Sequence, residues 1–409
     1  MIDNYVIYLG GSITHSVNFK YLKKKKYKII LIDQNPNCYC RKYSDFFINL
    51  SQTETKKILL RLKNFFYNKK FNVIDCFGTA HYSYPTINRI KLKYLKNSVN
   101  DTFLMYKYVQ KKKLKNSNLI PKYILLPTFE KIRNNKKYYL NKIFKFCESK
   151  NFNLHVKSDG KHQGEGIIKI DKKLSKLKFE KKYFKLILDL YKKTQRVYIE
   201  ETIKGKLVNI DFVKKENGDV IFLPLILRDR VILDGKKKFL SVFQYLDNSR
   251  IISENFYVEF KKIIIKLYKN IAIFGTIDAI VNKNCCKILE ISPHFHNSKI
   301  HKFLNNNDLL DIYLNKNQHK KIKRFQKTNT GGYIFVHGKN NYTKKMENYV
   351  KKKSEKILIN NIDISKRKTF LKKNGFIKDG FYLIYFKVKS KKNLKLITSY
   401  LEQNKKKIY

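Results

Sequence analysis

GTIDAIVNKNCCKILEISPH, residues 275–294, places two acids inside apolar runs: Asp278 in GTIDAIV and Glu290 in KILEIS. The two runs read as strands, Thr276 to Val281 and Lys287 to Ile291, joined by a turn at Asn282 to Cys285. As partners in a hairpin, both carboxylates can project to one face. Acids buried in a sheet without partners are costly. This chain also has only 32 acidic residues against 89 basic ones. Two acids so placed point to Mg²⁺ ligands, hard oxygen donors that leave room for phosphate oxygens. A pair of lysine salt bridges is the other reading of the same residues.

Upstream, NLHVKSDGKHQGEGIIKID (residues 153–171) sets Lys157 at the end of one strand, Leu154 to Lys157, and resumes in another, Gly166 to Ile170. Between them lie Ser158, Gly160, Gln163, Gly164 and Gly166. Glycines let backbone amides approach an anion, and a neighbouring lysine adds a charge for phosphate oxygens. By itself this loop reads equally as an exposed hairpin. VYIEETIKGK (197–206) is a strand running into a turn, where Glu200 or Glu201 can accept from an adenine amino group. A plain edge strand with solvated acids explains it as well.

The chain opens with an apolar run (5–10), Gly10-Gly11, a helical stretch near Asn18 to Lys25 and the apolar run Lys28 to Ile32 closed by Asp33. That order predicts a doubly wound parallel sheet, continued by strands at Asp45 to Ile48 and Asn72 to Asp75 around a helix, Glu54 to Tyr67. Helices are expected over 101–114, 128–148, near Phe179 to Lys193, and Asn255 to Asn270. Lys206 to Val213 and Val220 to Leu227 read as a hairpin turning at Asn217-Gly218. Residues 331–409 read as a small α+β lobe.

The 409-residue chain is long enough for several domains, and its 43% hydrophobic content supports globular cores. A formal net charge of +57 steers anions toward the surface. The lysines are spread through every region with no localised patch, so a specific nucleic-acid partner is not indicated. Six cysteines form no zinc-type or disulfide-type spacing, which suits a reducing, cytoplasmic setting. No apolar run is long enough to span a membrane.

Taken in order, LIDQNPNCYCRKYSDFFIN, CFGTAHYSYPTINRI, HVKSDGKHQGEGI, VYIEETIKGK and GTIDAIVNKNCCKILEISPH resemble the ATP-grasp superfamily, over roughly residues 5 to 300. The resemblance implies an α/β chain with a Rossmann-like domain (1–97) and a two-lobed α+β ATP-grasp domain (98–315) whose mobile lid covers about 151–203. A C-terminal α+β lobe (316–409) follows. It implies ATP with Mg²⁺ or Mn²⁺, small-molecule carboxylate and amine substrates, and ligation through an acyl phosphate; a homodimer is compatible. Lys157 and Lys107 would meet phosphates, with Ser158 and Gly160 to Gly166 as the lid loop. Glu200 to Ile203 would border adenine, and Asp278, Glu290 and Ser292 would hold metal. Arg230 and His294, with Lys157, would serve catalysis.

The family usually has Glu-x-Asn-x-Arg where this chain has Glu290, Ser292 and His294. Thr102 stands where a basic residue is common, with Lys107 nearest, and Leu207 where many relatives have a ribose-binding Glu. These departures motivate a second expectation, an ATP-binding protein with weakened catalysis and a sensing or scaffolding role. Charge alone motivates a third, nonspecific nucleic-acid binding.

Overall fold

The computed structural model describes residues 2–79, 81–95, 106–159, 167–191, 194, 196–233, 238–246, 252–269, 271–282, 285–293, 298–306, 308–315, 329–337, 341–362 and 381–408. The first four strands, β1 (Asp3–Leu9), β2 (Lys28–Ile32), β3 (Phe46–Ile48) and β4 (Phe71–Gly78), form a parallel sheet in the order β3-β2-β1-β4. Alternation divides β1 between two cores: Val6 and Tyr8 face one side with Ile29 and Leu31, while Tyr5, Ile7 and Leu9 face the other with Ile30 and Ile32. The chain leaves β1 through Gly10 at φ 97°, a conformation that costs a side chain energy but costs glycine none. The amide of Gly11 then donates to Asp33 Oδ2 at 2.7 Å, closing the loop against the end of β2.

A second sheet, in the order β5-β8-β6-β7, is antiparallel and comprises β5 (Tyr123–Leu125), β6 (Leu154–Ser158), β7 (Ile168–Ile170) and β8 (Val197–Glu201). Leu154, Val156, Ile170, Val197 and Ile199 pack from one of its faces against residues of helices Lys136–Ser149 and Lys185–Tyr191. The helix expected over 128–148 is broken at Asn135 into Phe129–Asn134 and Lys136–Ser149.

The third sheet has nine strands among the described residues: β9 (Lys206–Lys214), β10 (Val220–Phe222), β11 (Ile226–Leu233), β12 (Lys238–Leu246), β13 (Ile273–Asn282), β14 (Cys285–Ser292), β15 (Thr330–His337), β16 (Lys356–Ile362) and β17 (Phe381–Val388). The run Val220 to Leu227, expected as one strand, is divided. β10 pairs with the distal half of β9 and β11 with the proximal half, and Pro224, which has no N–H for a ladder, lies between them. β12 pairs with β15, so the strands of the expected C-terminal lobe continue this same sheet.

The parallel sheet and the large sheet share a core. Val213, Leu223, Phe274 and Leu310 pack with Tyr8, Phe19 and Phe77, and the Phe77 and Phe274 rings lie 5.4 Å apart. Tyr313 donates to Asp75 Oδ2 at 2.7 Å, and Lys91 pairs with Asp75 Oδ1 at 2.7 Å, tying helix Leu309–Leu314 to β4.

Gly275 admits β14 close to β13. A Cβ there would lie 2.6 Å from the carbonyl oxygen of Ser292 and 2.8 Å from the Phe212 ring. Gly275→Ala is expected to cost about 1–3 kcal/mol, the range for overpacking, and denaturant titration measures it.

Candidate active site

Strand pairing assembles the site on the large sheet. Asn209 of β9, Asp278 of β13 and Glu290 of β14 form one cross-strand row; Asp211, Thr276 and Ser292 form the next row on the same face. The hairpin therefore does bring the two expected acids opposite each other. Asn209 donates to Asp278 Oδ1, and Arg228 Nη1 lies 3.3 Å from Asp278 Oδ2. Ser292 Oγ lies 3.4 Å from Glu290 Oε1. Asp211 accepts from Thr276 Oγ1 and pairs with His301 Nε2 at 2.8 Å.

The small sheet presents a second polar face. Tyr123, Glu200 and His155 are register partners across β5, β8 and β6, and Tyr198 pairs with Lys157 one step along. Glu200, only 2% exposed, lies between two cations: Lys157 Nζ on Oε1 and Lys111 Nζ on Oε2 at 2.6 Å. Burial opposes its charge, but the attraction of Lys157 and Lys111 outweighs that and holds its carboxyl down to about 2. For Lys111 burial dominates, and its ammonium is held below the ordinary value despite Glu200. Burial and the nearby Lys157 charge also push the His155 imidazole down to about 4.

One short helix, Lys107–Lys113, braces the two faces. Gln110 exchanges two hydrogen bonds with the backbone of Ile291, donating from Nε2 at 2.6 Å and accepting at 2.9 Å. Lys107 Nζ pairs with Glu290, Lys111 with Glu200, and the amide of Tyr108 donates to Asp159 Oδ2 at 3.0 Å. Burial, reinforced by repulsion from Lys157, pushes the Lys107 ammonium down to about 8. Burial raises the Asp159 carboxyl to about 6, against the Tyr108 amide.

Of the expected site residues, Lys107, Lys157, Glu200, Asp278, Glu290 and Ser292 lie on or between these polar faces, whereas Ser158, the register partner of Val197, alternates to the other face of the small sheet with Leu154 and Val156. The hydroxyl of Ser158 is buried and has no hydrogen-bond partner among the described residues. Glu200 was expected to accept from adenine, but its carboxylate is committed to two lysines. Glu201 accepts from the Lys122 amide at 2.7 Å, which leaves the backbone near half-buried Ile203 as the part of this segment open to a base edge. Gly160, Gln163, Gly164, Gly166, Thr102 and His294 lie outside the described residues, as does the side chain of Arg230, whose backbone is in β11 opposite Ser241.

The donor set of Asp278, Glu290 and Ser292 is all oxygen and fits a hard divalent cation. Among the described residues no group of three His, Cys, Asp or Glu gathers to hold a metal, so such an ion would rest on two carboxylates. No helix among the described residues is long and apolar enough to cross a membrane, and the six cysteines are free thiols.

If the site takes ATP, as the sequence resemblance implies, Lys157→Ala is expected to raise the apparent KM for ATP and to lower kcat together, by about tenfold or more overall. Steady-state ADP release measures both, and unchanged kinetics would remove this lysine from the site.

No protein-family model matches the chain, and no curated protein matches it by sequence. Solved structures do match. N5-carboxyaminoimidazole synthetase from Staphylococcus aureus, complexed with ADP, is similar with a TM-score of 0.69 at 16% identity, over 97% of this chain and 96% of that one. An L-amino acid ligase from Bacillus licheniformis gives 0.71 at 10% identity, over 98% of both chains. Phosphoribosylglycinamide synthetase from Anaerococcus prevotii gives 0.62 at 14%, again over 98% of both. These neighbours have the ATP-grasp fold. At such identities the likeness concerns architecture, and on that ground the chain has the ATP-grasp fold along nearly its whole length.

Proposed function

We propose that this protein is an ATP- and Mg²⁺-dependent ligase that joins a small-molecule carboxylate to an amine through an acyl phosphate. The observation that carries the reading is the pair of facing polar surfaces, Lys157 with Glu200 and Asp278 with Glu290, braced by one helix in an ATP-grasp fold. The substrate carboxylate attacks the γ-phosphorus and ADP leaves; the amine then attacks the acyl carbon and phosphate leaves. Protein groups do little covalent work in such chemistry, so positioning and charge neutralisation carry the rate.

In this scheme Lys157 and Lys107 turn from their glutamate partners to phosphate oxygens. The lid, about 151–203, closes and keeps water from the acyl phosphate. Asp278, Glu290 and Ser292 would hold Mg²⁺, or Mn²⁺, which when bound neutralises phosphate charge. Arg228, released from Asp278, would orient the substrate carboxylate, and on the family resemblance alone Arg230 and His294 would serve catalysis with Lys157.

A second reading, an ATP-binding protein of weakened catalysis, is favoured by Ser292, whose hydroxyl is a poorer fixed metal ligand than an amide carbonyl. Incubation with ATP, Mg²⁺, carboxylate pools and hydroxylamine separates the two. A ligase releases ADP in step with hydroxamate; binding of ATP without either product supports the second reading.

A further inference from the structure

Strand register carries the catalytic face beyond its acids and into the last strands of the chain. Leu207 stands two residues before Asn209 on β9, and so on the same face. Its partner is Arg228 of β11, and Arg228, Gln244 of β12, Tyr333 of β15 and Tyr385 of β17 are successive register partners. One cross-strand row thus runs from the arginine that meets Asp278 to a tyrosine two strands away. At the usual strand spacing that separation is about 10 Å, a gap that the long side chains of Arg228 and Tyr333 can close around one small ligand above β12.

Tyr333 is half-buried and packs on the cluster that holds Ile226, Ile300 and Leu304, with its ring centroid 5.4 Å from that of Tyr385. Ile226 is the register partner of Asn209, so this cluster borders the acid row directly. Packing fixes the ring, yet the Tyr333 hydroxyl makes no hydrogen bond among the described residues. For stability alone, phenylalanine would serve as well. Burial pushes the hydroxyl up to about 12, against the opposing pull of Arg228, so it keeps its proton at neutral pH and can donate. A guanidinium can only donate as well. The small group that accepts from both at once is a carboxylate, with one oxygen for each.

We infer that Tyr333 is a substrate-binding residue, its hydroxyl donating to one oxygen of the carboxylate whose other oxygen Arg228 holds. Strands β15 and β17 thereby complete the substrate end of a site whose acids lie on β13 and β14. That the carboxylate belongs to the substrate rests on the ligase reading; the convergence of Arg228 and Tyr333 on one carboxylate does not.

Thermal unfolding of the full chain with acetate as the probe, at ionic strength fixed with chloride, tests it. Acetate should raise the Tm of the unaltered protein saturably, by about 2 °C or more. Tyr333→Phe should keep the Tm measured without acetate, because no hydrogen bond is lost. Its apparent acetate affinity should fall about tenfold, the size of one hydrogen bond to a charged acceptor. An acetate response absent from the unaltered protein, or of equal affinity in Tyr333→Phe, overturns the inference. So does a clear fall in the Tm of Tyr333→Phe without acetate, which would make the hydroxyl structural. Calorimetric titration of Mg²⁺·ATP into the same two proteins reports on the ligase reading separately, since its failure in both leaves the acetate result standing.

Discussion

Lys111→Met should lower the free energy of unfolding by about 3 kcal/mol, near the low end of the range for breaking a buried ion pair. Lys111 and Glu200 are each 2% exposed, so the variant leaves a buried carboxylate with Lys157 alone. The low end applies because that second lysine remains. The double variant Lys111→Met, Glu200→Gln removes both charges and should recover much of the loss, an outcome that a simple packing defect at Lys111 would not produce.

The same pair sets an acid response. Glu200 titrates at about 2 in the folded chain against an ordinary value of 4.5. Its folded value is depressed, so its contribution is present above pH 4.5 and is lost as pH falls from there toward 2. The drop corresponds to roughly 3 kcal/mol. In Lys111→Met the acid limb should move to higher pH, and urea titrations across pH 2 to 5 would show it.

Asp278→Asn and Glu290→Gln should each reduce turnover by about 10²–10³-fold while the fold persists. Both side chains lie at facing positions of one hairpin, and each is neutralised across the site, by Arg228 and by Lys107. On the proposed assignment, removing either carboxylate would delete a metal ligand and break its ion pair with Arg228 or Lys107, so the apparent Mg²⁺ requirement should rise with the loss in rate. Rates measured over a Mg²⁺ titration, beside the Tm of each variant, separate this from unfolding. A variant with full turnover at low Mg²⁺ would remove that carboxylate from the metal set.

Much of this architecture is legible in particular stretches. The two apolar runs GTIDAIV and KILEIS, with a turn between them, are enough to read a hairpin that brings Asp278 and Glu290 together; the irregularity between Asp278 and Ala279 that sets them directly opposite each other leaves no mark in the pattern. Asn209 and Asp211 carry the same signal, polar residues two apart in KLVNIDFVK, and they sit on the same face.

Lys111 was not legible. It stands in a run of three lysines, and only the angle of its short helix against β8 makes it the buried one. The pairing of Glu200 was hidden for a related reason: local spacing cannot show that two cations, from β6 and from that helix, converge on one carboxylate. The continuity of β12 with β15 was equally hidden, since pairing between strands so far apart in the chain leaves no local pattern.

The most direct test of the central claim is calorimetric titration of Mg²⁺·ATP into the unaltered protein and into Lys157→Ala. The account predicts saturable binding at one site in the former and affinity at least about tenfold weaker in the latter. No binding to the unaltered protein, or equal binding to both, would contradict it.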